Sequence, residues 1–133
     1  MYNILIADDS EVARGLIRKT LNLSGLPLGI IHEAGDGAKA LEILRGNWVD
    51  LAIVDINMPI MNGFKLIRTI REDDVLRTTP VIVISSDGTE KRKSDLSALG
   101  VSMYLHKPVS PEEVRDAIQS ALSQSENGDL SDD

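Results

Sequence analysis

The stretch Leu51-Ala52-Ile53-Val54-Asp55 decides the fold, with four apolar residues in succession and then an aspartate. A run without alternation, and too short for a helix, marks a strand covered on both faces. The same design recurs along the chain. Residues 2–7 form an apolar run that stops at Asp8-Asp9-Ser10, and residues 81–84 are four β-branched residues followed by Ser85-Ser86. Residues 29–33 read as a further strand, and residues 102–105 as a short one leading to Lys107-Pro108.

Between these runs the apolar period becomes helical. Over residues 11–23, Val12, Leu16, Ile17 and Leu21 recur at helical spacing, and Ser24-Gly25 with Pro27 closes the element. Residues 37–45 place Ala38, Leu41 and Leu44 on one face, and residues 65–72 place Leu66, Ile67 and Ile70. Residues 89–99 make a weaker helix with few apolar positions. Ser110-Pro111-Glu112-Glu113 offers an N-cap, a proline at the first helical position and a capping-box glutamate. The stripe Val114, Ala117, Ile118, Ala121 and Leu122 follows. Strand and helix thus alternate five times, with no internal repeat. Such alternation implies an α/β, doubly wound parallel sheet covered on both faces. Ligands of these sheets bind beyond the carboxyl ends of the strands.

Composition sets limits on function. The 133 residues suffice for one domain, expected over residues 1–124, with an acidic and disordered tail over 125–133. The absence of cysteine excludes disulfides, thiolate metal sites and thiol catalysis. No apolar run approaches the roughly 20 residues that cross a bilayer, and the first residues lack the basic region of a signal peptide. A cytoplasmic location without membrane contact is the expectation. The net charge is −7, with Glu126, Asp129, Asp132 and Asp133 of the tail contributing to it. An acidic chain lacks the electrostatic footprint of a nucleic-acid binder. Lys91-Arg92-Lys93 is a local exception, read either as a solvated helix face or as a docking patch for an acidic partner peptide.

The strand ends carry the chemistry. Asp8 and Asp9, Asp55, Ser85 and Ser86, and Lys107 follow four different strands and would meet at one edge. Polar residues commonly follow buried strands, but carboxylates, hydroxyls and a lysine converging at all four ends point to a site. Two carboxylates about 4 Å apart repel by roughly 4 kcal/mol at an effective dielectric near 20. A proton or a cation must therefore intervene. Hard oxygen ligands without His or Cys favour Mg²⁺, with Mn²⁺ as an alternative. Asp55 would then serve as a nucleophile toward phosphorus. Lys107 would neutralise phosphoryl charge, and the Ser85 hydroxyl would hydrogen-bond a phosphoryl oxygen.

Asp8-Asp9, Asp55-Ile56-Asn57-Met58-Pro59, Gly63, Ser85-Ser86, Tyr104 and Lys107-Pro108 together resemble the signature of response-regulator receiver domains, in order and over residues 1 to about 124. The resemblance implies a flavodoxin-like sheet of order 2-1-3-4-5. It also implies that Asp55 is the phospho-acceptor, Asp9 a direct metal ligand, and Asp8 its partner acting through water. The Asn57 backbone carbonyl would complete the protein's share of the metal shell. Ser85 and Tyr104 match the hydroxyl and aromatic switch residues, Lys107 the phosphate-pairing lysine, and Lys107-Pro108 a cis peptide. Asn57 and Ser86 would contact the phosphoryl group, and Asn57 with Asp87 would tune its lifetime, here toward a short-lived phosphoprotein. The implied partners are a histidine kinase or phosphotransfer protein and a downstream protein on the face made by the fourth helix, fifth strand and fifth helix. A monomer is expected, with phosphorylation-dependent dimerisation as an alternative.

A signalling switch that assists only its own phosphorylation and dephosphorylation is therefore expected, as a single-domain chemotaxis-type regulator. A phosphorelay shuttle, or a receiver segment of a longer regulator, is the alternative. An aspartate-nucleophile phosphatase would need a second aspartate where Asn57 stands. A flavin module would need a phosphate cradle where Asp8-Asp9 would repel one. His32 and His106 lack metal-ligand spacing, and Trp48 reads as packing.

Overall fold

A computed structural model of the chain describes residues 1–86 and 90–131, apart from the side chains of residue 90 and of residues 124–131. The elements are β1 (Tyr2–Ala7), α1 (Glu11–Leu23), β2 (Leu28–Ala34), α2 (Gly37–Gly46), β3 (Leu51–Val54), α3 (Gly63–Glu72), β4 (Val81–Ser85), α4 (Glu90–Ser97), β5 (Met103–His106) and α5 (Pro111–Ser131). Five parallel strands form one sheet of order β2-β1-β3-β4-β5. This is the doubly wound, flavodoxin-like architecture implied above. The topological switch falls at β1, which pairs with both β2 and β3.

Side-chain alternation along the strands divides the core in two. Leu5, Ala7, Ala52, Val54, Val81 and Val83 pack with Ala40, Leu41 and Leu44 of α2, Leu66, Ile67 and Ile70 of α3, and Leu96 of α4. Ile4, Ile6, Leu51, Ile53, Ile82 and Ile84 pack with Ile17 and Leu21 of α1 and Val114, Ala117, Ile118 and Ala121 of α5. Every residue of β3 and β4 is buried, which is why their sequences show no polar alternation.

Local chemistry fixes the helix starts. Ser10, Asp36 and Asn62 occupy N-caps and accept from the backbone N–H groups of Ala13, Lys39 and Lys65. At α5 the Ser110 hydroxyl accepts from the Glu113 N–H while the Glu113 carboxylate accepts from the Ser110 N–H, a reciprocal capping box. Arg71, near the end of α3, ties three segments together. Its guanidinium donates to the carbonyls of Leu99 at 2.7 Å, Arg77 at 3.0 Å, Thr79 at 2.7 Å and Gly100 at 3.1 Å. Burial pulls its pKa below the ordinary arginine value.

The structure departs from the sequence pattern in four places. Val12 and Leu16 are 74% and 61% exposed, because α1 is covered along a narrower line than its apolar stripe is wide. In α2 the exposed Ala38 yields its core position to Ala40. Trp48 is 76% exposed rather than packed, since it sits in the turn after α2, with its indole N–H donating to Asp50. Helical backbone runs through Ser131, past residue 124 where the apolar stripe stops. Lack of an apolar face predicts an unpacked segment, but no proline stops the helix from propagating. Asp132 and Asp133 lie outside the described residues.

Candidate functional site

The strand register builds the site. Ala7 pairs with Val54, Val54 with Val83, and Ser85 with His106, so the residues that follow emerge at one level. Ladder bonds continue past the strands. The Asp8 N–H donates to the Ala34 carbonyl at 3.0 Å, that of Asp55 to Ala7 at 2.8 Å, and that of Lys107 to Ser85 at 3.0 Å. Asp8, Asp9 and Asp55 each bring a carboxylate oxygen to within 4.8 Å of the others. Asp8 and Asp55 are buried and Asp9 is exposed.

Lys107 bridges the two buried carboxylates, with Nζ 2.7 Å from Asp8 Oδ2 and 3.1 Å from Asp55 Oδ2. Burial pulls the ammonium's pKa down, but its hydrogen bonds and charge pairing with Asp8 and Asp55 outweigh that and hold it above the ordinary lysine value. The other oxygen of Asp8 accepts from the Ser10 N–H at 2.9 Å, so both its oxygens are engaged. An all-carboxylate donor set of this kind suits a hard divalent cation that retains water.

The β3–α3 loop is fitted closely to the site. The Gly63 N–H donates to the Ile56 carbonyl, and a Cβ at Gly63 would collide with the Asp55 carbonyl. The Gly37 N–H donates to the Met61 carbonyl, so α2 also fixes this loop. Between them Ile60 has φ +68°, and the Met61 N–H closes a three-residue turn onto the Pro59 carbonyl at 2.7 Å. A positive φ is costly for a β-branched residue.

Ser85 is fully buried at the end of β4, and Ser86 is exposed. The Ser86 carbonyl lies 3.0 Å from His106 Nε2. Asn57 is exposed between the buried Ile56 and Met58. Tyr104 is half-buried on the α2–α4 face, with the Lys93 ammonium 5.8 Å from its ring centre. The Lys107-Pro108 peptide is cis. Asp87 lies outside the described residues.

Sequence reasoning missed a charged strut behind Asp8. The Arg14 guanidinium donates to the Asp8 carbonyl at 2.6 Å and to Glu33 at 3.1 Å, while Arg18 takes the other Glu33 oxygen at 2.7 Å. Hydrogen bonding from Arg18, and less from Arg14, holds the Glu33 carboxyl below its ordinary pKa against the opposing pull of burial. A glutamate inside a strand, with two arginines one turn apart on α1, was the available signal. A cleft of about 670 Å³, lined by Arg45, Trp48, Val75 and Pro80 among others, opens at the other edge of the sheet. It gathers no comparable set of carboxylates, so the chemistry is assigned to the aspartate edge.

Residues 4–119 match the family of response regulator receiver domains. The sensor histidine kinase TmoS of Ectopseudomonas mendocina is 34% identical over 126 residues, which are 95% of this chain and 12% of TmoS. The chemotaxis protein CheY1 of Helicobacter pylori is 32% identical over 120 residues, which are 90% of this chain and 95% of CheY1. The solved structure of the chemotaxis protein CheY4 of Vibrio cholerae aligns with a TM-score of 0.82 at 30% identity, covering 92% of this chain and 99% of CheY4. The chain thus spans nearly all of the two chemotaxis proteins and a small part of the kinase.

Proposed function

This chain belongs to the response regulator receiver domains of two-component signalling, and from that premise we propose that Asp55 accepts a phosphoryl group and that the α4–β5–α5 face reports it to a protein partner. Receiver domains are signalling switches rather than conventional enzymes, and they bind Mg²⁺ at an aspartate cluster such as Asp8, Asp9 and Asp55 form here. Among the described residues no helix is long and apolar enough to cross a membrane, which fits a cytoplasmic role. The observation that carries the reading is Lys107, whose ammonium lies within hydrogen-bond distance of both Asp8 and Asp55.

The Asp55 carboxylate attacks the phosphorus of a phosphohistidine. A P–O bond forms as the P–N bond breaks, and the departing imidazole takes up a proton. Asp8, Asp9, Asp55 and the Asn57 carbonyl would hold Mg²⁺, or Mn²⁺, which when bound would supply positive charge to this acidic edge. The exposure of Asp9 supports a direct-ligand role for it, and the partners that both Asp8 oxygens already have support a role for Asp8 through water. Lys107 exchanges its Asp55 contact for a phosphoryl oxygen. Ser85 turns its hydroxyl toward another, and Asn57 and Ser86 contact the group from the loops.

Movement of Ser85 leaves room for Tyr104 to turn inward, shifting the population between two arrangements of the signalling face. Polar side chains at Asn57 and Asp87 orient an attacking water and shorten the lifetime of the acyl phosphate. Incubation with acetyl phosphate and Mg²⁺ tests the assignment. The wild type is expected to gain an acid-labile phosphate and Asp55→Asn none; no gain by the wild type, or equal gain by the variant, would overturn it.

The similarity to a segment of TmoS favours a second reading, in which the receiver hands its phosphate on within a relay. Faster loss of label from Asp55 to a phosphotransfer histidine than to water would select it.

A further inference from the structure

Of the three clustered carboxylates, Asp8 and Asp55 are held by Lys107, whereas that of Asp9 has no hydrogen bond or ion pair among the described residues. Its place in the cluster is therefore set by its backbone, and both peptides that flank it are tied. On one side the Ser10 N–H donates to Asp8 Oδ1 at 2.9 Å. On the other the Arg14 guanidinium donates to the Asp8 carbonyl at 2.6 Å. A peptide unit is planar, so fixing that oxygen also fixes the direction in which the chain enters Asp9.

Arg14 is held in turn. Its Nε lies 3.1 Å from Glu33 Oε1 on β2. Arg18 takes Glu33 Oε2 through Nε at 2.9 Å and Nη2 at 2.7 Å, and Nη2 also donates to the Ile31 carbonyl at 3.0 Å. The Arg14 side chain is 17% exposed and that of Arg18 41%, so the arginine that reaches the acidic edge is the more enclosed of the two.

We propose that Arg14 is a positioning residue for the divalent cation, setting the Asp9 carboxylate in the ligand set by way of the Asp8 carbonyl. The inference rests on the reading of Asp8, Asp9 and Asp55 as the cation's ligands. A guanidinium suits the task because its donors lie in one rigid plane, one aimed at a backbone oxygen after β1 and another at a carboxylate of β2. A lysine ammonium is a single point and does not span the two in this way. Ordering Asp9 beforehand lowers the entropy lost when the cation binds. Partners one step out from the ligands commonly carry 10- to 100-fold in metal affinity.

The charge of Arg14 acts in the opposite sense. It repels a cation, with Glu33 offsetting part of that repulsion. If charge were its whole effect, removing Arg14 would tighten cation binding. The sign of the change therefore separates positioning from electrostatics.

The test is a titration with Mn²⁺ alone, without phosphoryl donor, followed by the electron paramagnetic resonance of the free ion. The wild type is expected to bind Mn²⁺ and Asp9→Asn to bind it far more weakly. Arg14→Met should weaken binding about tenfold. Arg14→Lys keeps the charge but not the two-ended link, and should weaken it about threefold. Arg18→Met removes as many hydrogen bonds but leaves Arg14 on the Asp8 carbonyl, and should change it by less than about twofold. Unchanged or tighter binding in Arg14→Met, wild-type affinity in Arg14→Lys, or equal losses in the Arg14 and Arg18 methionine variants would each overturn the proposal while leaving the ligand set intact. No binding by the wild type, or none lost in Asp9→Asn, would overturn the ligand set and the proposal with it. A thermal melt checks that each variant is folded at the titration temperature, and Arg14→Lys decides the matter if Arg14→Met is not.

Discussion

Lys107 and Arg71 are both cations drawn partly out of water, one at each end of the sheet, and they are satisfied in opposite ways. Lys107, after β5, meets two carboxylates, and its pKa rises. Arg71 meets four backbone carbonyls with no carboxylate among them, and its pKa falls through burial. A carboxylate can exchange one cation for another or gain a phosphoryl group, so its partners are replaceable. Backbone carbonyls in turns have no second partner waiting. The carboxyl-end edge is therefore suited to change its occupants, and the amino-end edge to hold α3, β4 and the turn into β5 in place while that happens.

The hardest blow to this contrast is Arg71→Met. Removing the guanidinium leaves carbonyls of residues 77, 79, 99 and 100 without their donor. Unpaired and partly buried acceptors of this kind should cost on the order of 3 kcal/mol in total. Urea unfolding should show that loss equally with and without Mg²⁺. A loss under about 1 kcal/mol would mean that water replaces the guanidinium and that the amino-end clamp is incidental.

Neither cation's environment was equally legible beforehand. Lys107 follows an apolar run and stands in sequence where a strand end should be, so its arrival at the aspartates could be read from topology. Arg71 could not be read in this way, because carbonyl acceptors carry no side-chain signature. The same holds for Arg14, half of whose role is a bond to the Asp8 carbonyl. Strands β3 and β4 were legible because burial on both faces leaves no alternation to confuse. Helix α1 was legible as a helix but not as a face. Periodicity locates Val12 and Leu16 on the apolar side, yet α5 and the sheet cover only the line through Ile17 and Leu21. Trp48 was misread for a related reason, since its place in a turn decides its exposure more than its hydrophobicity does.

Lys107→Met sharpens the contrast from the other side. Without the ammonium, Asp8 and Asp55 lose a shared, part-buried ion pair, and the expected cost in cation-free buffer is about 1–2 kcal/mol. Here Mg²⁺ should matter. The lysine competes with a cation for the same carboxylates, so the variant should gain more stability from millimolar Mg²⁺ than the wild type does. Thermal melts with EDTA and with Mg²⁺ measure both increments. An unchanged deficit in the two buffers would place Lys107 with Arg71 as a fixed structural cation.

The smallest effect tests how much strain the acidic edge carries. Ile60 is 84% exposed with φ +68°, in the loop that follows Asp55 and between the loop contacts at Gly37 and Gly63. The left-handed region costs an L-residue about 1–2 kcal/mol. Glycine removes that cost but adds chain entropy to the unfolded state, worth about 0.4–1 kcal/mol. Ile60→Gly should therefore stabilise the fold by about 0.5 kcal/mol, a gain visible as a small rise in the urea midpoint at unchanged slope. Because so little of the side chain is buried, no lost packing should mask it. A fall in stability would instead show that the Ile60 side chain holds the loop against its neighbours, and that the acidic edge is braced by packing as well as by charge.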